Sequence, residues 1–134
     1  MIQKYFLDVL KYRYIEFVGR SSLKEFWYFV LFKWLSLISL VLLSRLLMIP
    51  FMKSGNLDTL FLINKLTKWS FIIAYLCILL PSLAITVRRL HDVGKTGLLV
   101  LLKIVPGLGT IVLFLFLVQE GSAAPNKYGP SLYS

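Results

Sequence analysis

Three long apolar runs, each bounded by charge or by turn residues, set the pattern of this chain. Phe26 to Ile49 is almost wholly apolar. Its 24 residues rise about 36 Å as a helix, enough to cross a hydrocarbon core of about 30 Å with tilt. "SSLKE" precedes the run, with Ser21 or Ser22 placed to cap it and Glu25 to complete a capping box. Pro50 is expected to stop this helix. A turn follows at Ser54-Gly55-Asn56, then a half-apolar interfacial piece from Leu57. A second span is predicted over Trp69–Val87, with Pro81 inside it freeing the Cys77 carbonyl. The third run, Leu98–Val118, is broken by "PGLG" at Pro106–Gly109.

At the N-terminus, Ile2, Tyr5, Phe6, Val9 and Leu10 recur at helical spacing, while Lys4, Asp8, Lys11 and Glu16 fall largely elsewhere. Residues 1–18 therefore read as an amphipathic helix lying on a membrane. Residues 119–134, "QEGSAAPNKYGPSLYS", read as an extended, loosely ordered tail. The predicted fold is all-α: one integral membrane bundle of three transmembrane helices (26–49, 69–87 and 98–118) with an N-terminal interfacial helix.

Composition sharpens this. With 58% hydrophobic residues in 134 and a mean hydropathy of +0.80, a soluble domain of this size has too much surface to hide its apolar side chains. The net charge of +9 suits cytoplasmic flanks and anionic lipid. Nucleic acid is not expected, because the basic residues surround hydrophobic runs and form no separate soluble face. One cysteine, Cys77, makes neither an internal disulfide nor a metal site, and is expected as a small packing residue. The charge spread through the first 25 residues argues against a cleaved signal peptide.

Charge also orients the chain. With three crossings, Lys4, Lys11, Arg13, Arg20, Lys24, Arg88, Arg89 and Lys95 share one side, against Lys53, Lys65, Lys68 and Lys127 on the other. The positive-inside rule puts the N-terminus in the cytoplasm. The third run is expected to cross as a kinked, continuous helix, leaving the C-terminus periplasmic. The alternative is a re-entrant hairpin folded at "PGLG", which would return "NKYGP" to the side of "RRLHD".

The chemistry concentrates in "TVRRLHDVGKTG", residues 86–97, where the single histidine sits. Gly94 suits a helix end and Thr96 a new cap. Arg88 and Asp92, four apart, are placed to pair on one helix, which leaves Arg89, or failing that Arg88, for Glu25 at the same side and depth. Glu25, Arg88, Arg89 and Asp92 then form a structural ion-pair network. A second use of the cluster is an anion site: Arg88, Arg89, His91 and Lys95, with the amides of Thr96 and Gly97, suit a phosphate or an anionic lipid headgroup. A partner protein, or a second copy of the chain, is the other expected neighbour. Catalysis is not expected. His91 and Asp92 point about 100° apart on a helix, and there is no nucleophile motif, carboxylate pair or metal-ligand cluster. No cofactor is implied. An oligomeric transporter or channel component is the alternative class, suggested by the broken third run.

The set "GRSSLKEFWYFVLF", "PSLAITVRRLHDVGKTG", "VPGLG" and "EGSAAPNKYGP" resembles the DUF805 family, over roughly residues 15–130. The specific element is RRLHD-x-G-x-[ST]-G. The chain departs at Leu98 and Leu99, where the family often has tryptophan, and at Leu23, where it often has a basic residue. The resemblance implies a small all-helical protein of the bacterial inner membrane and no particular activity.

Overall fold

The computed structural model of the protein describes Leu7 and residues 9–133. The described architecture is helical: α1 (Leu23–Ser54), α2 (Leu57–Asp92), a 3-10 helix (Gly97–Ile104) and α3 (Leu108–Val118). Two helices, α1 and α2, are long and apolar enough to cross a membrane; α3 is a shorter apolar helix. Ser22 Oγ accepts from the Glu25 amide at 3.2 Å, and Ser21 Oγ donates to Glu25 at 2.9 Å, so the box starts α1 as its sequence implies.

Several boundaries differ from expectation. α1 runs through Pro50 to Ser54. Proline removes one backbone bond, to the Leu46 carbonyl, and one turn from a helix end that loss is small beside the long apolar run behind it. The stop comes at Gly55, with φ +67°, where Asn56 Oδ1 caps the Thr59 amide at 3.1 Å. The interfacial piece and the second span are one helix of 36 residues, α2, with Pro81 inside it. Cys77, expected as a packing residue, is exposed.

Residues 1–6 and 8 of the expected interfacial helix lie outside the described residues, including Ile2, Lys4, Tyr5, Phe6 and Asp8. Val9–Lys11 are helical, and the chain then turns rather than continuing as helix to Val18. Glu16 N donates to the Arg13 carbonyl at 3.4 Å, and Arg13 Nε pairs with Glu16 at 2.5 Å, closing the turn. Val9 is buried, whereas Tyr12, Ile15 and Val18 are exposed.

The chain divides into two compact units: Met1–Val30 with Leu80–Ser134, and Leu31–Leu79. The second unit is a helical hairpin with little interior. Leu37, Ser44 and Met48 are its buried residues, and Arg45 reaches Asn64 at 3.5 Å. Its hydroxyls turn inward on their own helices: Ser36 donates to the Lys33 carbonyl, Ser44 to Val41 and Thr67 to Ile63, at 2.7–2.8 Å. A hydroxyl that bonds its own helix needs no water.

The first unit holds the core: Val9, Phe26, Phe29, Ala84, Ile85, Leu90, Leu113 and Leu117. Within it the third apolar run doubles back. Its start, Gly97, lies against α2, where a Cβ would meet Val87 at 2.6 Å and His91 Nε2 at 3.1 Å. Its end is also at α2, where the Leu117 carbonyl accepts from Arg89 at 3.2 Å. The turn is Val105–Gly107, with Gly107 at φ +78°. Beyond it Gly109 packs on the 3-10 helix; a Cβ there would lie 2.3 Å from the Leu102 carbonyl. The expected continuous crossing is therefore replaced by a hairpin. Its arms rise about 16 Å each, from eight residues at about 2.0 Å and eleven at about 1.5 Å. The physical reason is that left-handed Gly107 and the bare backbone of Gly109 permit a reversal that a side chain at either position would block.

Candidate functional site: a buried charge knot

The end of α2 is closed by a Schellman arrangement. Lys95 N donates to the Leu90 carbonyl at 2.9 Å and Gly94 N to His91 at 3.0 Å, with Gly94 at φ +71°. This fixes the last turn, on which Arg88, Arg89, His91 and Asp92 project in different directions.

Arg88, Arg89 and Asp92 have no exposed surface, and Arg20 retains 4%. Such burial is tolerable only when the charges are paired and hydrogen-bonded. Asp92 is the hub. Its Oδ1 accepts from Arg20 Nε at 2.8 Å; its Oδ2 accepts from Tyr133 Oη at 2.6 Å and from Arg89 Nη1. Arg89 also donates to the Leu117 and Gln119 carbonyls, so it holds the end of α3. Arg20 gathers the tail: it donates to the carbonyls of Ser122 at 2.5 Å and of Ala124 and Pro130 at 3.1 Å. Ser122 N closes on the Asp92 carbonyl at 2.9 Å.

His91 forms a second clasp. Its ring stacks on Tyr128 at 3.8 Å and 6°. Nδ1 lies 3.1 Å from the Gly19 carbonyl, which makes it the protonated nitrogen. Asn126 donates to the His91 carbonyl at 3.0 Å. His91 lies beyond the apolar span, and burial lowers its pKa below 6.5, ahead of the opposing Gly19 contact. Tyr133 is pushed above 10.0 by burial and by its bond to Asp92. Both groups are therefore neutral at pH 7.

Arg88 is bound differently. Its Nη1 lies 3.7 Å from Glu25 and 3.7 Å from Glu16, beyond hydrogen-bond reach, and among the described residues its three buried guanidinium nitrogens have no hydrogen-bond acceptor. Glu25 is meanwhile held by Ser21 and by Arg13 at 3.3 Å.

The expected network residues thus meet, but with partners exchanged: Arg89 takes Asp92, and Arg88 takes Glu25. Asp92 neighbours both arginines on the helix, so tertiary contacts decide, and Arg89 is the one that faces the α3 carbonyls. The expected anion site does not assemble as an open surface. Arg88 and Arg89 are enclosed, His91 is stacked, and Thr96 accepts from Leu98 N at 3.4 Å. Gly97 packs on α2, and Lys95 stands exposed with its ammonium 5.4 Å above the Phe116 ring. Sequence reasoning missed Arg20, Tyr133 and Gly121, where a Cβ would meet Asp92 Oδ2 at 2.1 Å and Tyr133 at 2.4 Å. Among the described residues no cluster of His, Cys, Asp and Glu is arranged to hold a metal ion.

A helical fold with two long apolar helices and a charge knot at one end defines a class, that of small helical membrane proteins. Residues 14–130 match a family described as "Protein of unknown function (DUF805)", and the chain belongs to that family. It is similar to the inner membrane protein YhaI of Escherichia coli K12, at 34% identity over 94% of this chain and 92% of that one. It is also similar to the inner membrane protein YhaH of the same strain, at 30% identity over 94% and 93%. No solved structure matches the chain.

Proposed function

We propose that the chain is a multi-pass inner-membrane protein with two crossing helices, α1 and α2, and a re-entrant hairpin formed by residues 97–118. The N-terminus, the knot and the tail then share the cytoplasmic face. The observation that carries this is the return of the third apolar run to its own starting level, with Gly97 packed at His91 and Leu117 bonded to Arg89. The hairpin arms, about 16 Å each, reach roughly half of a 30 Å core, and two half-membrane arms do not cross it. Lys127 then joins the basic side, leaving Lys53, Lys65 and Lys68 opposite, which strengthens the positive-inside assignment.

The knot in this reading is a structural lock, and the protein is a binding or assembly component rather than an enzyme. Contact with anionic headgroups falls to the exposed rim, Lys11, Lys95 and Lys127, rather than to Arg88 and Arg89. A Ser131→Cys variant in a Cys77→Ser background tests the topology. It should resist a membrane-impermeant maleimide in intact spheroplasts and react once the membrane is opened. Labelling of intact spheroplasts would overturn the arrangement. A second reading, an oligomeric transporter or channel component, draws on the doubled-back run, because broken helices line many transport pathways. Ion or solute flux into proteoliposomes, absent from protein-free vesicles, would favour it.

A further inference from the structure

A cavity of about 550 Å³ opens beside the knot, lined by Ser22, Leu23, Lys24 and, from the tail, Glu120, Gly121 and Tyr133. Its volume is that of a small-molecule site. Lys24 and Glu120 both line it, yet neither forms an ion pair among the described residues. Two opposite charges on one cavity that do not meet leave room for a ligand that answers both.

From this geometry we infer that the cavity binds an ammonium–phosphate zwitterion, the headgroup chemistry of phosphatidylethanolamine. Lys24 takes the phosphate and Glu120 the primary ammonium, each by a charge-assisted hydrogen bond. Leu23, and Leu132 on the same wall, offer apolar contact to the less polar part of the ligand. The cavity sits at the first turn of α1, where the apolar run from Phe26 begins. A headgroup held there has its acyl chains beside the exposed Trp27, one turn along α1 from Lys24. The bound group is therefore assigned to lipid rather than to a free zwitterion. This rests on the inner-membrane reading, whose own test is the labelling of residue 131.

The experiment uses the full chain in nanodiscs, with lipids retained on release counted by native mass spectrometry. In mixed phosphatidylethanolamine and phosphatidylglycerol discs, the wild-type protein should keep phosphatidylethanolamine preferentially. Lys24→Gln and Glu120→Gln should each lower that retention about tenfold, as loss of one charged hydrogen bond implies. Thermal unfolding should be unchanged, since both side chains are exposed. Loss in Lys24→Gln alone marks a simple anion site and overturns the zwitterion assignment, as does wild-type retention by both variants. A second arm titrates free phosphoethanolamine onto protein in pure phosphatidylglycerol discs. No binding there, with retention in the first arm, supports the lipid source. Tight binding there supports the zwitterion chemistry and overturns the lipid source.

Discussion

The two units of this molecule solve opposite solvation problems with the same two helices. In Leu31–Leu79, leucines 42, 43, 46, 47, 62 and 66 are more than half exposed, and the hydroxyls bond their own backbone. In the other unit, the largest fully buried side chains are Arg88 and Arg89, with Asp92 and Arg20 buried as well. Apolar surface facing outward costs nothing when the surroundings are hydrocarbon, so the two helical stretches of Leu31–Leu79, the arms of the molecule, need little interior. Inside the knot the charges are shut away from water, and Arg20, Arg89 and Asp92 serve one another as hydrogen-bonding partners in its place. Specificity in this protein therefore resides in polar geometry, and the arms supply length and apolarity.

The largest effects should come from breaking the hub. Asp92→Asn leaves Arg20 and Arg89 buried beside a neutral group, and removing one partner of a buried pair costs about 3–5 kcal/mol. Thermal unfolding in detergent should show that loss, and limited proteolysis should cut the tail after Gln119. In the arms, Leu43→Ala and Leu46→Ala, both at exposed positions, should stay within about 0.5 kcal/mol of the parent. Equal losses in the two regions would mean that the arms carry hidden packing.

Next comes Gly121→Ala. Its Cβ would sit within 2.4 Å of Asp92 and Tyr133, so the tail must shift. Overpacking of this kind costs about 1–3 kcal/mol, and the same proteolysis assay reads it. A tail cut no faster than in the parent would mean that residue 121 is not clamped.

How much of this was written in the sequence follows from which forces are local. The caps at Ser22 and Gly94 and the turn at Gly55 depend on neighbouring residues, and they were legible; the helix limits were less so, since the second span lies within the longer α2 and the third run doubles back. The end of α1 was misread because a proline near a helix end removes only one bond. The exchange of Arg88 and Arg89 was not legible, since each is a helical neighbour of Asp92 and only the distant Leu117 carbonyl separates them. Arg20 and the tail were missed for the same reason. "EGSAAPNKYGP" has the composition of a loose end, and its order comes from Arg20 binding three of its carbonyls. The signal available was that this stretch and "RRLHD" belong to one resemblance.

A smaller effect separates the two arginines of the knot. Arg88 has two carboxylates at 3.7 Å and, among the described residues, no hydrogen-bond acceptor, so its coupling to Glu25 should be near 1 kcal/mol in a double-mutant cycle. The cycle uses Arg88→Met and Glu25→Gln, read by thermal unfolding. A coupling as large as that between Arg89 and Asp92 would show that Arg88 is held as tightly.

The smallest effect is the pH range over which the tail stays docked. His91 has its pKa lowered on folding, so the unfolded chain binds the proton more readily below pH 6.5. Stability from the neutral imidazole is present above 6.5 and is lost as pH falls through the folded value. Tyr133 behaves in the opposite sense. Its pKa is raised above 10.0, so the contribution of the protonated hydroxyl is present below pH 10 and is lost as pH climbs through the folded value. The tail should therefore resist proteolysis best between these limits and loosen at both ends for different reasons. His91→Gln should flatten the acid limb and keep the alkaline one, and Tyr133→Phe the reverse. The acid limb belongs to the His91–Tyr128 stack: protonation adds a second cation beside Lys127, whose charge already lowers the His91 pKa. An acid limb that persists in His91→Gln would mean that the His91–Tyr128 stack does not set how the tail responds to acid.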